Sequence, residues 1–289
     1  MTHAEEWIVF PRNISPFLTI DETSLSRGEL YTIVTNKLAK GKKGTIVAMV
    51  KGTQAEDVIK VLERIPFAKR GIVREVTMDM APSMIKIIMS SFPNAVRVTD
   101  RFHVQQLAFD AVQEIRVKYR WEAIEEENQL ITRAKNQEKT YQPEILTNGD
   151  TPKQLLARSR YLLFKSSSKW THSQKQRAGI LFEKYPKLKE AYDLAINLGY
   201  IFDNTFDKGV AFTRLAKWYD KVEKSGIESF GTVARSIQLN YLTILNYFNH
   251  RSTNAAAESF NAKIKAFRAS SRGVREVNFF LFRLAKIYA

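Results

Sequence analysis

The chain has no cysteine among its 289 residues. Disulfides, thiolate-bound zinc and thiol nucleophiles are thereby excluded, and the composition fits a reducing compartment. No apolar run reaches the roughly 18 residues needed to cross a bilayer. The first ten residues carry Glu5 and Glu6 and lack the basic start and long apolar run of a secretory leader. A Gly-rich phosphate loop ending in Lys and Ser or Thr is also missing, which argues against ATP use. These absences lead to the expectation of a soluble cytoplasmic protein with no membrane partner.

What the chain has in excess is positive charge. It carries 45 Lys and Arg against 30 Asp and Glu, a formal net charge of +15. Such a surplus favours a polyanionic partner, because neutralising phosphates releases counterions. The surplus is uneven: residues 251–289 hold eight Lys and Arg against two Asp and Glu. No amphipathic segment has a lipid-like face, so nucleic acid is favoured over membrane. The hydrophobic fraction of 44% is ordinary for a folded globular chain.

The pattern along the chain predicts three strands first: Phe17 to Asp21, Leu30 to Thr35 after a turn at Arg27-Gly28, and Gly44 to Val50. Their short connections make an antiparallel meander the economical reading. A helix follows, with Thr53 as cap, Glu56 and Asp57 in its first turn, and Val58, Val61, Leu62 and Ile65 at helical spacing. A strand over Ile72 to Met78, a helix opened by Pro82 and a strand over Ala95 to Thr99 complete the order β-β-β-α-β-α-β. That order matches an α/β fold with an RNase H-like mixed sheet. From residue 104 the period turns helical, and few β-rich runs occur before residue 250. The predicted organisation is therefore a first part of the catalytic domain over 1–103, a large all-α insertion over 104–250, and C-terminal helices over 251–289 that complete the domain.

Three carboxylates draw the chemistry. Asp21 and Asp79 each sit at the predicted end of an apolar strand, where a carboxylate is costly to desolvate without a cation or donor. In an RNase H-like sheet those strands are neighbours. Two converging carboxylates repel unless a divalent ion lies between them, and oxygen ligands suit magnesium or manganese. The third is Glu258, within the segment Thr253 to Arg268. Asn254, Glu258, Asn261, Lys265 and Arg268 follow at intervals of four, three, four and three, and are predicted to share one helix face. Phe260, Ile264 and Phe267 fall opposite and would pack on the sheet. The polar face suits a metal ligand flanked by DNA-backbone contacts; an ordinary solvated amphipathic helix is the plainer reading of the same pattern.

The set Ile20-Asp21-Glu22-Thr23, Met78-Asp79-Met80, Asp100-Arg101-Phe102-His103 and Thr253-Asn254-Ala255-Ala256-Ala257-Glu258-Ser259-Phe260-Asn261 resembles the bacterial insertion-sequence transposases of the DDE class. It is nearest the subgroup with a long helical insertion before the final glutamate, and the resemblance covers nearly the whole chain. It implies that Asp21, Asp79 and Glu258 hold two divalent ions, Mg2+ or Mn2+. It further implies cleavage of double-stranded DNA at the ends of a mobile element and transfer of the 3′-hydroxyl into target DNA. A homodimer on paired ends, association with the nucleoid, and end recognition by a separate DNA-binding polypeptide are also implied. Asp100 and His103 resemble an Asp-x-x-His element of such enzymes that supports the metal or the scissile phosphate. Alternatively, Asp100 simply caps the helix that follows. Another RNase H-like nuclease of resolvase type, or a catalytically inactive DNA-binding descendant, is the competing reading of the whole. The basic run Lys37 to Lys43 reads as a solvated hairpin loop, with a DNA-backbone contact as the other reading. Trp170, Trp218 and Tyr219 divide between core packing and base stacking.

Overall fold

A computed structural model describes residues 6–26, 28–270, 274 and 276–289. Arg27 of the expected Arg27-Gly28 turn lies outside the described residues. The chain divides into two compact units, one formed by residues 1–103 with 240–289 and the other by 104–239.

The first unit is built on a six-stranded sheet. Its elements are β1 (Trp7–Val9), β2 (Phe17–Ser26), β3 (Glu29–Asn36), β4 (Ile46–Lys51), α1 (Ala55–Leu62), α2 (Phe67–Arg70), β5 (Glu75–Met78), α3 (Pro82–Ser91) and β6 (Val96–Thr99). The spatial order is β1-β4-β3-β2-β5-β6. β2, β3 and β4 form an antiparallel meander, β1 adds antiparallel to β4, and β5 and β6 run parallel to β2. The sheet is mixed, as the strand order predicts, with one short edge strand beyond it. A second departure concerns Asp21. The predicted strand stops there, whereas β2 continues to Ser26, and Asp21 lies mid-strand opposite Ile33.

Alternation along the strands assigns the two faces. Leu18, Ile20, Val34, Val76 and Met78 point to one side and pack with Val58, Val61 and Leu62 of α1 and Met84, Ile87 and Ile88 of α3. These helices form as their sequences dictate: Glu56 and Asp57 complement the dipole at the start of α1, and Pro82 opens α3 at its first turn. The other side presents Tyr31, Ile33 and Met49. It is covered by the last two helices of the chain, numbered below.

The second unit is helical. α4 (Arg101–Asn136) starts in the first unit and continues into the second, followed by α5 (Pro152–Arg158), α6 (His172–Lys184), α7 (Pro186–Asp203), α8 (Lys208–Ser225) and α9 (Glu228–Leu239). Thr171 caps α6 in a reciprocal arrangement with Gln174. The indole N–H of the fully buried Trp218 donates to the Leu194 carbonyl at 3.0 Å, and that of Trp170 to the Leu162 carbonyl at 2.7 Å. Both indoles are therefore committed to packing this unit. Buried Asp150 pairs with Arg158 and with Arg177.

The chain then returns to the first unit with α10 (Tyr241–His250), α11 (Ala255–Ser270) and α12 (Val277–Tyr288). α10 lies against β6: Asn246 donates to the Arg97 carbonyl at 2.9 Å, and the Thr99 and Thr243 hydroxyls meet at 2.7 Å. Phe260 and Ile264 of α11, one turn apart, join Phe280, Leu281 and Leu284 of α12 on the Tyr31–Ile33–Met49 face of the sheet. Phe260 meets Tyr288 edge-to-face at 5.1 Å between ring centres.

Candidate functional site

Asp21 and Asp79 stand on neighbouring elements for a topological reason. Parallel pairing aligns Thr19 of β2 with Thr77 of β5, so Asp21 and Asp79 are each two residues further along. Both lie on the face opposite the α1–α3 core, since the core takes Leu18, Ile20, Val76 and Met78. Each carboxylate is partly held by the backbone just beyond it. Asp21 Oδ1 accepts from the Glu22 N–H at 2.8 Å, and Asp79 Oδ1 from the Ala81 N–H at 2.8 Å.

α11 supplies the remaining groups. Asn261 donates from Nδ2 to Asp21 Oδ2 at 2.7 Å. One turn earlier, Glu258 opens to solvent, and Lys265 is exposed one turn later. Lys263 donates to the Gly41 carbonyl at 2.7 Å. The helix is thus pinned to the sheet by its apolar side and by two polar bonds. Asn254 departs from the predicted shared face. It precedes the helix, is 1% exposed, and its carbonyl accepts the N–H of Glu258, the position of an N-cap. It therefore does not stand on the solvent face with Glu258 and Lys265. Arg268, near the end of α11, is half-buried.

Asp100 is also 1% exposed. Its Oδ1 accepts weakly from the Phe102 N–H at 3.4 Å, as a helix-capping residue would. Capping does not exhaust it. Its Oδ2 and both amide atoms of Asn254 are buried without a hydrogen-bond partner. Unsatisfied buried polar atoms of this kind are uncommon and cost free energy.

The electrostatics makes Asp21 the hub. Burial raises its pKa above the ordinary value, the Glu22 N–H and His103 act against that, and Asp79 raises it further. Glu258 is raised by what desolvation it suffers, then by the negative fields of Asp100 and Asp21, while His103 lowers it. Asp100 is raised by burial and lowered by the Phe102 backbone N–H, His103, the Asn254 backbone N–H and Lys37. Glu22 is raised by partial burial, Asp79 and Asp21. The structure thus gathers Asp21, Asp79, Asp100, His103 and Glu258 into one field, with His103 the shared positive influence. Among the described residues, no three His, Cys, Asp or Glu side chains are arranged to hold a metal ion together. The donor chemistry nonetheless fits a hard cation: oxygen ligands, raised carboxylates and orphaned buried polar atoms on one side of a sheet.

Sequence reasoning missed Lys37. It does not sit in a solvated loop; its Nζ donates to Thr77 Oγ1 at 2.6 Å and to buried Glu75 at 3.3 Å. Burial lowers its pKa, and Glu75 opposes that shift. The available signal was Glu75 itself, the one charged residue of a fully buried strand, which requires a partner.

The fold is thus an α/β unit with a mixed sheet that gathers carboxylates from adjoining strands and a following helix. Comparison with known proteins gives the particular family. The profile of the ISL3 family, described as "Transposase", matches residues 18–284. The chain belongs to this transposase family. It is similar to the transposase for insertion sequence element IS1001 of Bordetella parapertussis, 23% identical over 273 residues. That match covers 93% of this chain and 60% of the relative. The transposase for insertion sequence element IS1557 of Mycobacterium tuberculosis is 22% identical over 261 residues, which is 89% of this chain and 56% of the relative. The chain thus spans rather more than half the length of these relatives. No solved structure matches it. No helix of the described residues is long and apolar enough to cross a membrane.

Proposed function

We propose that this chain is the catalytic part of an insertion-sequence transposase with an RNase H-like sheet, which cuts DNA at the element's ends and joins the freed 3′-hydroxyl to target DNA. The observation that carries the reading is the bond from Asn261 of α11 to Asp21 of β2, which ties the helix bearing Glu258 to the strand bearing the hub carboxylate. The sheet order supports the RNase H-like reading: an antiparallel meander followed by two strands parallel to its first.

In this mechanism Asp21, Asp79 and Glu258 would hold two magnesium or manganese ions, which would supply charge stabilisation for an in-line phosphoryl transfer. The chain's own residues do the positioning. The Glu22 and Ala81 amides fix one oxygen each of Asp21 and Asp79, and Asn261 fixes the second oxygen of Asp21. His103, which acts on Asp21, Asp100 and Glu258 alike, orients the scissile phosphate or supports the metal ligands. Lys265 and Arg268 grip the DNA backbone without reading sequence. Two copies of the chain act on paired ends, and a separate DNA-binding segment or polypeptide selects them.

The test is strand transfer of labelled, pre-cut element ends into a plasmid, with magnesium or manganese, by the chain alone and with the neighbouring gene's product. Joined products that vanish in Asp21→Asn and Glu258→Gln, while DNA binding persists, are the expected result. Nicking of the plasmid without joining would replace the reading by a resolvase-type nuclease. Equal joining by the Glu258→Gln protein would overturn the assigned triad.

A further inference from the structure

The helical unit holds a cation that its own fold does not neutralise. Arg116 of α4 is only 6% exposed. Its Nε donates to Gln113 Oε1 at 2.7 Å, and one terminal nitrogen to the Leu156 carbonyl at 3.0 Å. Leu156 lies in the last turn of α5, where carbonyls lack intrahelical partners. Among the described residues no carboxylate pairs with Arg116, and the charges that lower its pKa, after burial, are Arg160 and Arg120, both of its own sign.

Arg120 follows Arg116 by four residues, so the two side chains share one face of α4. Arg160 reaches the same place from the segment after α5, and Gln113 makes the link. The Gln113 amide that accepts from Arg116 also donates to the Arg160 carbonyl, at 3.2 Å. The Arg160 guanidinium sits 5.6 Å from the ring centre of Tyr161, which is 72% exposed. Arg158 and Arg177 of the same unit do find an acid, since both close on Asp150. Asp150 is thus taken by Arg158 and Arg177, and among the described residues no ion pair is made by Arg116, Arg120 or Arg160. Three arginines of like sign repel one another, and burial of one adds a desolvation cost. A ligand with spaced negative charges relieves both, and guanidinium groups match phosphate oxygens in geometry as well as charge.

We propose that Arg116, Arg120 and Arg160 form a binding site for the phosphodiester backbone of DNA within the helical unit, distinct from the contacts assigned to α11. Gln113 holds Arg116 and the Arg160 main chain in register, and Tyr161 offers a flat apolar face at the edge. The site recognises charge and spacing and not sequence. This inference rests on the reading of the chain as a DNA-processing enzyme.

The experiment measures binding of the full chain to a labelled random-sequence DNA duplex by fluorescence anisotropy over a salt series. Because Arg120 and Arg160 are exposed, Arg120→Ala with Arg160→Ala is expected to leave the melting temperature unchanged. It is expected to weaken binding by about tenfold per arginine and to lower the slope of log affinity against log salt by about two. Lys217→Ala with Lys224→Ala, on the exposed side of α8, removes the same charge elsewhere and should leave the slope unaltered. Arg116→Lys keeps the charge but loses the fork and its bonds to Gln113 and the Leu156 carbonyl, so it is expected to weaken binding and also to lower the melting temperature. Equal losses in the arginine and lysine pairs would overturn the proposal, as would an unchanged slope in the arginine pair while Lys265→Ala with Arg268→Ala abolishes binding. The latter result would leave the transposase reading standing. Absence of any DNA binding by the unaltered chain would sink both together. Displacement of DNA by inorganic phosphate at equal charge concentration would assign the site to a free anion and overturn its DNA role.

Discussion

Asn261 Nδ2 lies 2.7 Å from Asp21 Oδ2, a bond that joins residues 240 apart in sequence. It is the point at which the last part of the chain reports its position to the carboxylate cluster. Removing the donor in Asn261→Ala should cost about 1.5–3 kcal/mol at most, the range for a hydrogen bond to a charged group. Asn261→Asp keeps the size but opposes two carboxylates, so it should destabilise more at neutral pH. The excess should vanish toward about pH 4, where the new carboxyl becomes protonated. Urea unfolding at both pH values checks this; equal losses at both would show that the bond carries no electrostatic weight.

The raised carboxylates have a signed consequence. Asp21, Asp100 and Glu258 all titrate above their ordinary values in the folded chain, chiefly through burial. A carboxyl raised on folding contributes its stability in full below the unfolded pKa and loses it as pH climbs through the folded value. Without divalent ions, the first unit should therefore weaken as pH rises from about 4 toward 7. Asp21→Asn should blunt that loss, melting above the unaltered chain at neutral pH and level with it in acid. Under the proposed metal site, magnesium should raise the melting temperature of the unaltered chain and not that of the variant, which would lack one ligand. A variant that melts lower than the parent at every pH would refute the burial cost assigned to Asp21.

Much of this site was legible because its carriers are periodic. The apolar alternation of β2 and β5 and the Phe260–Ile264 spacing of α11 follow directly from which faces must be buried. Boundaries were less legible. Glu22-Thr23-Ser24 resembles a turn, yet β2 runs on to Ser26 because its hairpin partner β3 continues pairing to Glu29. Asn254 fits the outer-face spacing only if the helix begins before it; α11 begins at Ala255 and turns Asn254 inward. β1 is three residues long and carries almost no pattern, and in α10 only Leu242 and Leu245 are strong helix formers among aromatic, β-branched and Asn residues. Lys37 could not be placed by any period, since its partners Glu75 and Thr77 are 38 and 40 residues away.

That Lys37–Glu75 pair is a buried ion pair with side chains only 14% and 4% exposed. Attraction between such partners is offset by the cost of desolvating both, so the pair and its loss are unequal problems. Lys37→Met strands Glu75 without its cation and should destabilise by about 3–5 kcal/mol. Lys37→Met with Glu75→Leu removes both charges and should recover most of the loss. A double variant no better than the single one, by denaturant unfolding, would show that the lysine acts through Thr77 and not through charge.

The second anchor of α11 permits a separation of position from stability. Gly41 has a φ of +71°, and a Cβ there would stand 2.9 Å from Lys263 Nζ, the group that donates to the Gly41 carbonyl. Gly41→Ala thus imposes about 1 kcal/mol of backbone strain and pushes aside the end of a flexible side chain. Lys263→Met removes the same bond with no strain at all. Both should leave α11 seated by Phe260 and Ile264, so the fold persists, but both release the middle of the helix between Asn261 and Lys265. If helix placement sets activity, the two variants should lose strand transfer to the same extent while only Gly41→Ala loses stability beyond the missing bond. Loss of activity in Gly41→Ala alone would instead trace the effect to the distorted turn, and full activity in both would show that Asn261 and the apolar face suffice to hold Glu258 in place.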